Sequence, residues 1–237
     1  MMITCSHLSK MYGRFAALSD LDLSIREGEI YGLIGPNGAG KTTTIKLIVG
    51  LLQPTSGYVE VGGINMADNP LAAKQNLGYI PDEPFLYERL SPSELMDFKG
   101  SLFNMTRKEI DARKDGLFDL VAMNEYRDDL IESFSLGMKQ RIAIATALLP
   151  SPKVIIVDEP LVGLDPKGMK RVKEIFKDLA AEGRTVFIST HMLNVVEELA
   201  TTVGVLDRGR LIAQGTVDEL TRSQDQKLET VFFRLFS

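Results

Sequence analysis

The chain has 237 residues, 44% hydrophobic and 25% charged, a globular composition that sets it apart from disordered, collagen-like and disulfide-stapled classes. Its single cysteine, Cys5, excludes an internal disulfide and a multi-cysteine zinc site, and a net charge of −5 speaks against a nucleic-acid partner. No stretch approaches the roughly 20 apolar residues of a membrane-spanning helix, and the polar opening Met1–Lys10 has no signal-peptide core.

From the N-terminus, Asp20–Arg26 alternates Leu21, Leu23 and Ile25 with polar residues, the period-two pattern of a half-buried strand. Glu27-Gly28-Glu29 turns the chain. Ile30–Ile34 is a continuous apolar run, as expected of a strand covered on both faces. After a glycine-rich loop, Thr42–Leu52 sets Ile45, Leu47, Ile48, Leu51 and Leu52 on one face of a helix. Tyr58–Val61 reads as a short strand. Ser91-Pro92 is a helix start, a cap followed by a proline suited to the first turn. Asn104–Met123 is helical with Ile110, Leu117 and Val121 on one face, and Gly137–Leu149 is a further helix. Residues of about 88–150 therefore read as a helical subdomain inserted in an α/β core.

The alternation then resumes. Val154–Val157 is a strand, Pro166–Ala181 a helix, Thr185–Ser189 a strand and Leu193–Ala200 a helix. Val203–Leu206 and Leu211–Ala213 pair around the Arg208-Gly209 turn. Strands alternating with helices predict a mainly parallel sheet. In the tail, Leu228–Phe236 puts Val231, Phe232, Leu235 and Phe236 on one stripe, either packed on the core or docking a partner.

Gly35-Pro36-Asn37-Gly38-Ala39-Gly40-Lys41-Thr42 fits the G-x-x-x-x-G-K-[ST] phosphate loop, between a buried strand and a helix as that loop requires. Glycines let backbone N–H groups turn inward around a β-phosphate, and the helix N-terminus adds partial positive charge. Lys41 supplies a point charge for the β- and γ-phosphates, and Thr42 a hydroxyl for Mg²⁺. A second strand, Val154–Val157, runs straight into Asp158 and Glu159. Ligands of parallel sheets bind at the carboxyl ends of strands. Asp158 is placed to hold Mg²⁺ through its water shell, and Glu159, one residue on, to orient and deprotonate a water.

With these motifs in order, the chain resembles the ATP-binding subunit of an ATP-binding cassette (ABC) transporter, over at least Ile3–Leu220. Tyr12 matches the aromatic residue that stacks on adenine, and Gly35 to Thr43 the nucleotide loop. Ser135-Leu136-Gly137-Met138-Lys139-Gln140 resembles the family signature, which contacts the ATP of a facing subunit. Asp158 and Glu159 match the Mg²⁺ aspartate and the catalytic glutamate. Asp165, in Gly163-Leu164-Asp165, matches the loop that crosses to the second subunit, and His191 the histidine that contacts the γ-phosphate. His7 is assigned to an ordinary loop position. The resemblance implies a P-loop NTPase core with a mainly parallel sheet, an N-terminal antiparallel β subdomain and the helical insertion. Residues 1–220 then form the nucleotide-binding domain and residues 221–237 a helical tail. ATP and Mg²⁺ are the implied cofactors. The implied partners are a second nucleotide-binding subunit, in a homodimer or a heterodimer, and a separate transmembrane permease that places the chain on the cytoplasmic face of the cell membrane. The groove around Pro81–Phe98, with Phe85, Leu86, Tyr87 and Leu90 as apolar anchors, is the expected docking face.

Two departures stand out. The usual Leu-Ser-Gly-Gly-Gln reads Phe134-Ser135-Leu136-Gly137-Met138, keeping the serine and the second glycine. Similar spellings occur in the branch that exports drugs, lipids, peptides or ions. The glutamine usual after Tyr79-Ile80-Pro81 is Asp82, a carboxylate able to approach Mg²⁺. Two rival classes are a cassette ATPase of DNA repair or translation and a non-catalytic ATP sensor. The first usually carries zinc cysteines, a long coiled coil or two cassettes, none of which occurs here. Glu159 and His191 argue against the second.

Overall fold

The computed structural model describes residues 1–221 and 228–235. The chain opens with β1 (Ile3–Tyr12), β2 (Phe15–Ile25), β3 (Ile30–Ile34), α1 (Lys41–Ile48), β4 (Ser56–Val61), β5 (Ile64–Asn65), α2 (Pro70–Gln75) and β6 (Leu77–Ile80). Three helices follow: α3 (Pro92–Leu102), α4 (Arg107–Val121) and α5 (Leu136–Leu148). Next come β7 (Val154–Asp158), α6 (Pro166–Ala181), β8 (Thr185–Ser189) and α7 (Leu193–Leu199). The hairpin β9 (Thr202–Asp207) and β10 (Arg210–Gly215) precedes α8 (Val217–Thr221) and α9 (Leu228–Leu235).

Two sheets result. One is antiparallel, in the order β2-β1-β4-β5; the other runs β10-β9-β3-β8-β7-β6 and is parallel except for β10. The fold class is the expected one. Strand β7 shows why its sequence is apolar throughout. Val154 and Ile156 enter the core shared by α1 and the antiparallel sheet, while Ile155 and Val157 enter the core under the helical insertion. A strand covered on both faces has no polar side to display. Helix α6 buries Val172, Ile175, Phe176 and Leu179 along one stripe against that second core.

Several expectations need correcting. Helix α1 stops at Ile48 rather than Leu52, because the amides of Leu51 and Leu52 fold back onto the Lys46 carbonyl (2.8 and 3.0 Å). The inward stripe of α4 is Ile110, Lys114, Phe118 and Val121, with Phe118 in place of Leu117, which is half-buried. The polar residue in the stripe, Lys114, is 3% exposed, pairs with Asp97 and donates to Ser93 Oγ at 3.1 Å. Strand β1 is absent from the period-two reading because three register shifts along its pairing with β2 break the alternation. In the tail, Leu228 is buried and Phe232 packs beside Val196, Val203 and Val205. The side chains of Val231, Leu235 and Phe236 lie outside the described residues.

Candidate active site

The loop after β3 delivers the chain into α1 without a side-chain cap on that helix. The unpaired first-turn amides of α1 are therefore left for an anion. Gly40 is held at φ 110, and a Cβ there would lie 2.7 Å from the Ala17 carbonyl oxygen, so a side chain fits neither the backbone angle nor the space. Lys41 follows at once. Its Nζ donates to the carbonyls of Gly35 (2.7 Å) and Pro36 (3.2 Å). Burial lowers its pKa, opposed by the charges of Glu159 and Asp158.

A cavity of about 370 Å³ opens over this helix end. Its lining joins Asn37, Gly38, Ala39, Gly40, Lys41, Thr42 and Thr43 to Tyr12, Asp82, Asp158 and Glu159. Parallel pairing of β7 with β8 and of β3 with β8 brings these strand ends together. The Thr42 hydroxyl donates to Asp158 Oδ2 at 3.2 Å. That pair of oxygens, with Asp82 on the same wall, is a hard donor set of the kind Mg²⁺ takes. Burial raises the pKa of Asp158; the Thr42 hydroxyl opposes this, and the charges of Asp82 and Glu159 add to it. Tyr79 is pushed up to about 12 by burial and then by Asp158 and Asp82.

Glu159 sits one residue past the strand at φ 49, a left-handed backbone that costs a non-glycine residue about 1 kcal/mol or more. The kink turns its carboxylate back over the end of β8. Oε2 accepts from Thr190 Oγ1 (2.8 Å), and Oε1 accepts from the His191 amide (3.1 Å) and faces His191 Nδ1 at 2.7 Å. A proton on Nδ1 satisfies that contact and leaves Nε2 free to meet a ligand. His191 thus joins the site through Glu159 rather than through the cavity wall.

The remaining expected residues lie elsewhere. Ser135 caps α5, accepting from the Met138 amide at 3.3 Å, and Asp165 caps α6, accepting from the Gly168 amide at 3.0 Å. With Gly137, Arg141, Lys167 and Arg171 they line a separate opening of about 300 Å³. Leu136 is partly exposed at its edge of α5, and α5 begins at Leu136 rather than Gly137. A Cβ on Gly137 would come 2.7 Å from the Gly163 carbonyl oxygen, so the glycine lets these two loops touch. Of the expected docking anchors, Phe85 and Tyr87 are exposed, but Leu86 and Leu90 pack against the helical core. His7 lies in β1, outside the cavity, where its hydrogen bond to the Asp20 carboxylate and the charge of Asp22 raise its pKa. Two contributors escaped sequence reasoning. Phe15 pairs with Tyr12 across the hairpin at the cavity mouth, and Thr190 holds Glu159.

The burial of Asp158, with other carboxylates nearby, predicts a stability effect. Asp158 keeps its proton to higher pH in the fold than in the unfolded chain, so its penalty is absent at low pH and complete once it ionises. At neutral pH and without divalent metal, Asp158→Asn is expected to raise Tm by about 2–4 °C. Asp82→Gln should give a smaller gain. Mg²⁺ with ATP should narrow both differences by stabilising the native protein. Differential scanning fluorimetry with and without Mg²⁺ decides it, and an unchanged or lower Tm for the free Asp158→Asn protein shows that burying this carboxylate carries no penalty.

Comparison with known proteins gives the same reading. Residues 18–162 match the ABC transporter family profile. The chain is 38% identical over 219 residues to the linearmycin resistance ATP-binding protein LnrL of Bacillus subtilis, covering 92% of this chain and 70% of that one. A solved ATP-binding subunit of an ABC transporter superposes over all of both chains with a TM-score of 0.95 at 32% identity. A dimeric ATP-binding cassette in a post-hydrolysis state, bound to ADP and phosphate, gives a TM-score of 0.82 at 26% identity, over 91% of this chain and 98% of that one. With a phosphate loop, a strand-end carboxylate pair and a signature helix in one fold, the chain belongs to the ABC transporter family as an ATP-binding and ATP-hydrolysing subunit.

Proposed function

We propose that this chain drives export through a separate membrane subunit, two cassettes facing each other and each ATP gripped between the Lys41 loop of one and Ser135 and Gly137 of the other. The observation that carries the reading is the split site. Lys41, Asp158 and Glu159 share one cavity, while Ser135, Gly137 and Asp165 line another, so one copy holds two unlike halves. A second copy turned to face the first completes both. ATP then favours the closed pair by mass action, since it binds the pair more tightly than the separated halves. A similar solved cassette is dimeric with ADP and phosphate bound, which supports this arrangement.

In the proposed reaction ATP and water give ADP and phosphate. Tyr12 stacks on the adenine. The loop N–H groups beyond Pro36, up to Thr43, and Lys41 hold the β- and γ-phosphates, and catalysis is positioning plus charge stabilisation. Mg²⁺, when bound, neutralises charge on the β- and γ-phosphate oxygens, and Thr42, Asp158 and Asp82 are the residues that would hold it. Glu159 orients the water and takes its proton. His191, fixed through Nδ1 by Glu159, offers Nε2 toward the γ-phosphate. Asp165 lies beside the half-site that Ser135 opens and would reach toward the facing copy.

Among the described residues no helix is long and apolar enough to cross a membrane, so the transport path belongs to a partner chain, and this subunit would sit on the cytoplasmic face of the membrane. Phe85 and Tyr87 offer the exposed aromatic contact for it. The resistance role in the name of LnrL favours export. Purification from detergent-solubilised membranes is expected to bring down a multi-span membrane protein and yield ATPase activity that a transported compound stimulates. Recovery of ribosomes or DNA instead, or ATP binding without hydrolysis, overturns the transport reading.

A further inference from the structure

The half-site on α5 needs a fixed direction, because a helix end that meets a nucleotide on another chain has no substrate of its own to align it. One side of that end rests on the 163–164 segment, through the close approach of Gly137 to the Gly163 carbonyl and of Leu136 to Gly163. The other side is held through Lys139 by Glu88, a residue that no motif marks. Lys139 lies four residues after the Ser135 cap, and the first turn of α5 carries no acidic residue. A cation there opposes the partial positive charge of the helix N-terminus. Its Nζ is 2.5 Å from Glu88 Oε1, and the lysine side chain is 20% exposed.

Glu88 is well anchored to play that part. Its carbonyl accepts from the Glu132 amide at 3.0 Å, and the Leu90 carbonyl accepts from the Ile131 amide at 3.1 Å. Leu86, Leu90 and Met138 pack against one core. The stretch from 86 to 90 is therefore clamped to the segment leading into α5 by backbone bonds, apolar contact and one ion pair. The same connection begins at Asp82, in the cavity of Lys41. Six residues thus span from the wall of one half-site to the side of the other.

We infer that Glu88 is a positioning residue for the facing copy's nucleotide: its ion pair with Lys139 sets the direction in which α5 presents Ser135 and Gly137. The inference rests on the two-copy reading above. Glu88 lines neither half-site cavity, so its loss leaves binding by the separated subunit intact and weakens only closure of the pair. A half-exposed pair of this kind moves an equilibrium by a modest factor, about fivefold.

The test uses the full chain carrying Glu159→Gln, so that ATP persists. Dimer dissociation is measured by sedimentation equilibrium in ATP and Mg²⁺. Nucleotide affinity of the separated subunit is measured with a fluorescent ATP analogue at protein concentrations well below dimerisation. Adding Glu88→Gln should raise the dimer Kd about fivefold, with the separated subunit's affinity and Tm unchanged. The exchange Glu88→Lys with Lys139→Glu should return the dimer Kd to within about twofold of the parent, since the pair is restored with reversed sign. A purely structural ion pair would instead lower Tm and affinity together. An unchanged dimer Kd for Glu88→Gln, or an exchange no better than the single change, overturns the positioning role. A parent that stays monomeric in ATP overturns the two-copy reading itself, and the role of Glu88 with it.

Discussion

Glu159→Gln is expected to keep ATP binding at close to native affinity, to cut turnover by about 100- to 10,000-fold, and to accumulate a nucleotide-bound dimer. The amide is nearly isosteric with the carboxylate. With its oxygen in the Oε1 place it still accepts from the His191 amide, and its nitrogen in the Oε2 place donates to the Thr190 hydroxyl oxygen, so the kinked backbone at residue 159 and the placement of His191 persist. What disappears is the ability to take a proton from water. Neither Lys41 nor the loop amides depend on that carboxylate for position, because Lys41 is held by the Gly35 and Pro36 carbonyls. Single-turnover hydrolysis, equilibrium nucleotide binding and sedimentation on one preparation separate these effects. Turnover at the native rate would take the role of base away from Glu159. Loss of binding together with loss of turnover would mean that the carboxylate supports the cavity rather than the chemistry.

The parts of this site that were legible in sequence are those carried by contiguous residues or by a strand running into its own ligand. The loop at 35–42 is read directly, since each glycine serves the backbone where it stands. Asp158 is read from the apolar run that ends on it. The contact between Glu159 and His191 joins residues 32 apart and exists only because β7 and β8 pair in parallel, with Asp158 opposite Ser189. No local pattern encodes that register. Phe15 was hidden for a related reason: bulges in β1 erase the alternation that would have announced the hairpin and set Phe15 beside Tyr12. Lys114 was hidden in the other direction. A lysine inside an apolar stripe reads as the solvent side of a helix until its partners Asp97 and Ser93 are seen. The same holds for Leu86 and Leu90, apolar residues in a connecting segment whose burial depends on the helices packed above them. Helix α1 was overextended because Leu51 and Leu52 continue its apolar pattern past the turn in which their amides bond to Lys46.

The split between local and tertiary information bears on the second large effect, Lys41→Ala. This change is expected to weaken ATP binding by about 10- to 100-fold, the value of one or two hydrogen bonds to charged phosphate oxygens. In the free protein Lys41 is 8% exposed, and its ammonium donates to two carbonyls of its own loop. Burial has already lowered its hold on its proton. A cation kept dehydrated before the ligand arrives gives up little hydration when phosphate replaces those carbonyls, so more of the Coulomb attraction remains as affinity. Lys41→Arg should not restore binding, because a planar fork cannot occupy the space of a compact ammonium between two carbonyls in so closed a loop. Isothermal titration with ATP at fixed Mg²⁺ reads the affinity, and a thermal melt of the free variant separates lost binding from a lost fold. Native affinity in a folded Lys41→Ala protein would leave the loop without its phosphate role. Restoration by arginine would mean that net charge, rather than the shape of the cradle, does the holding.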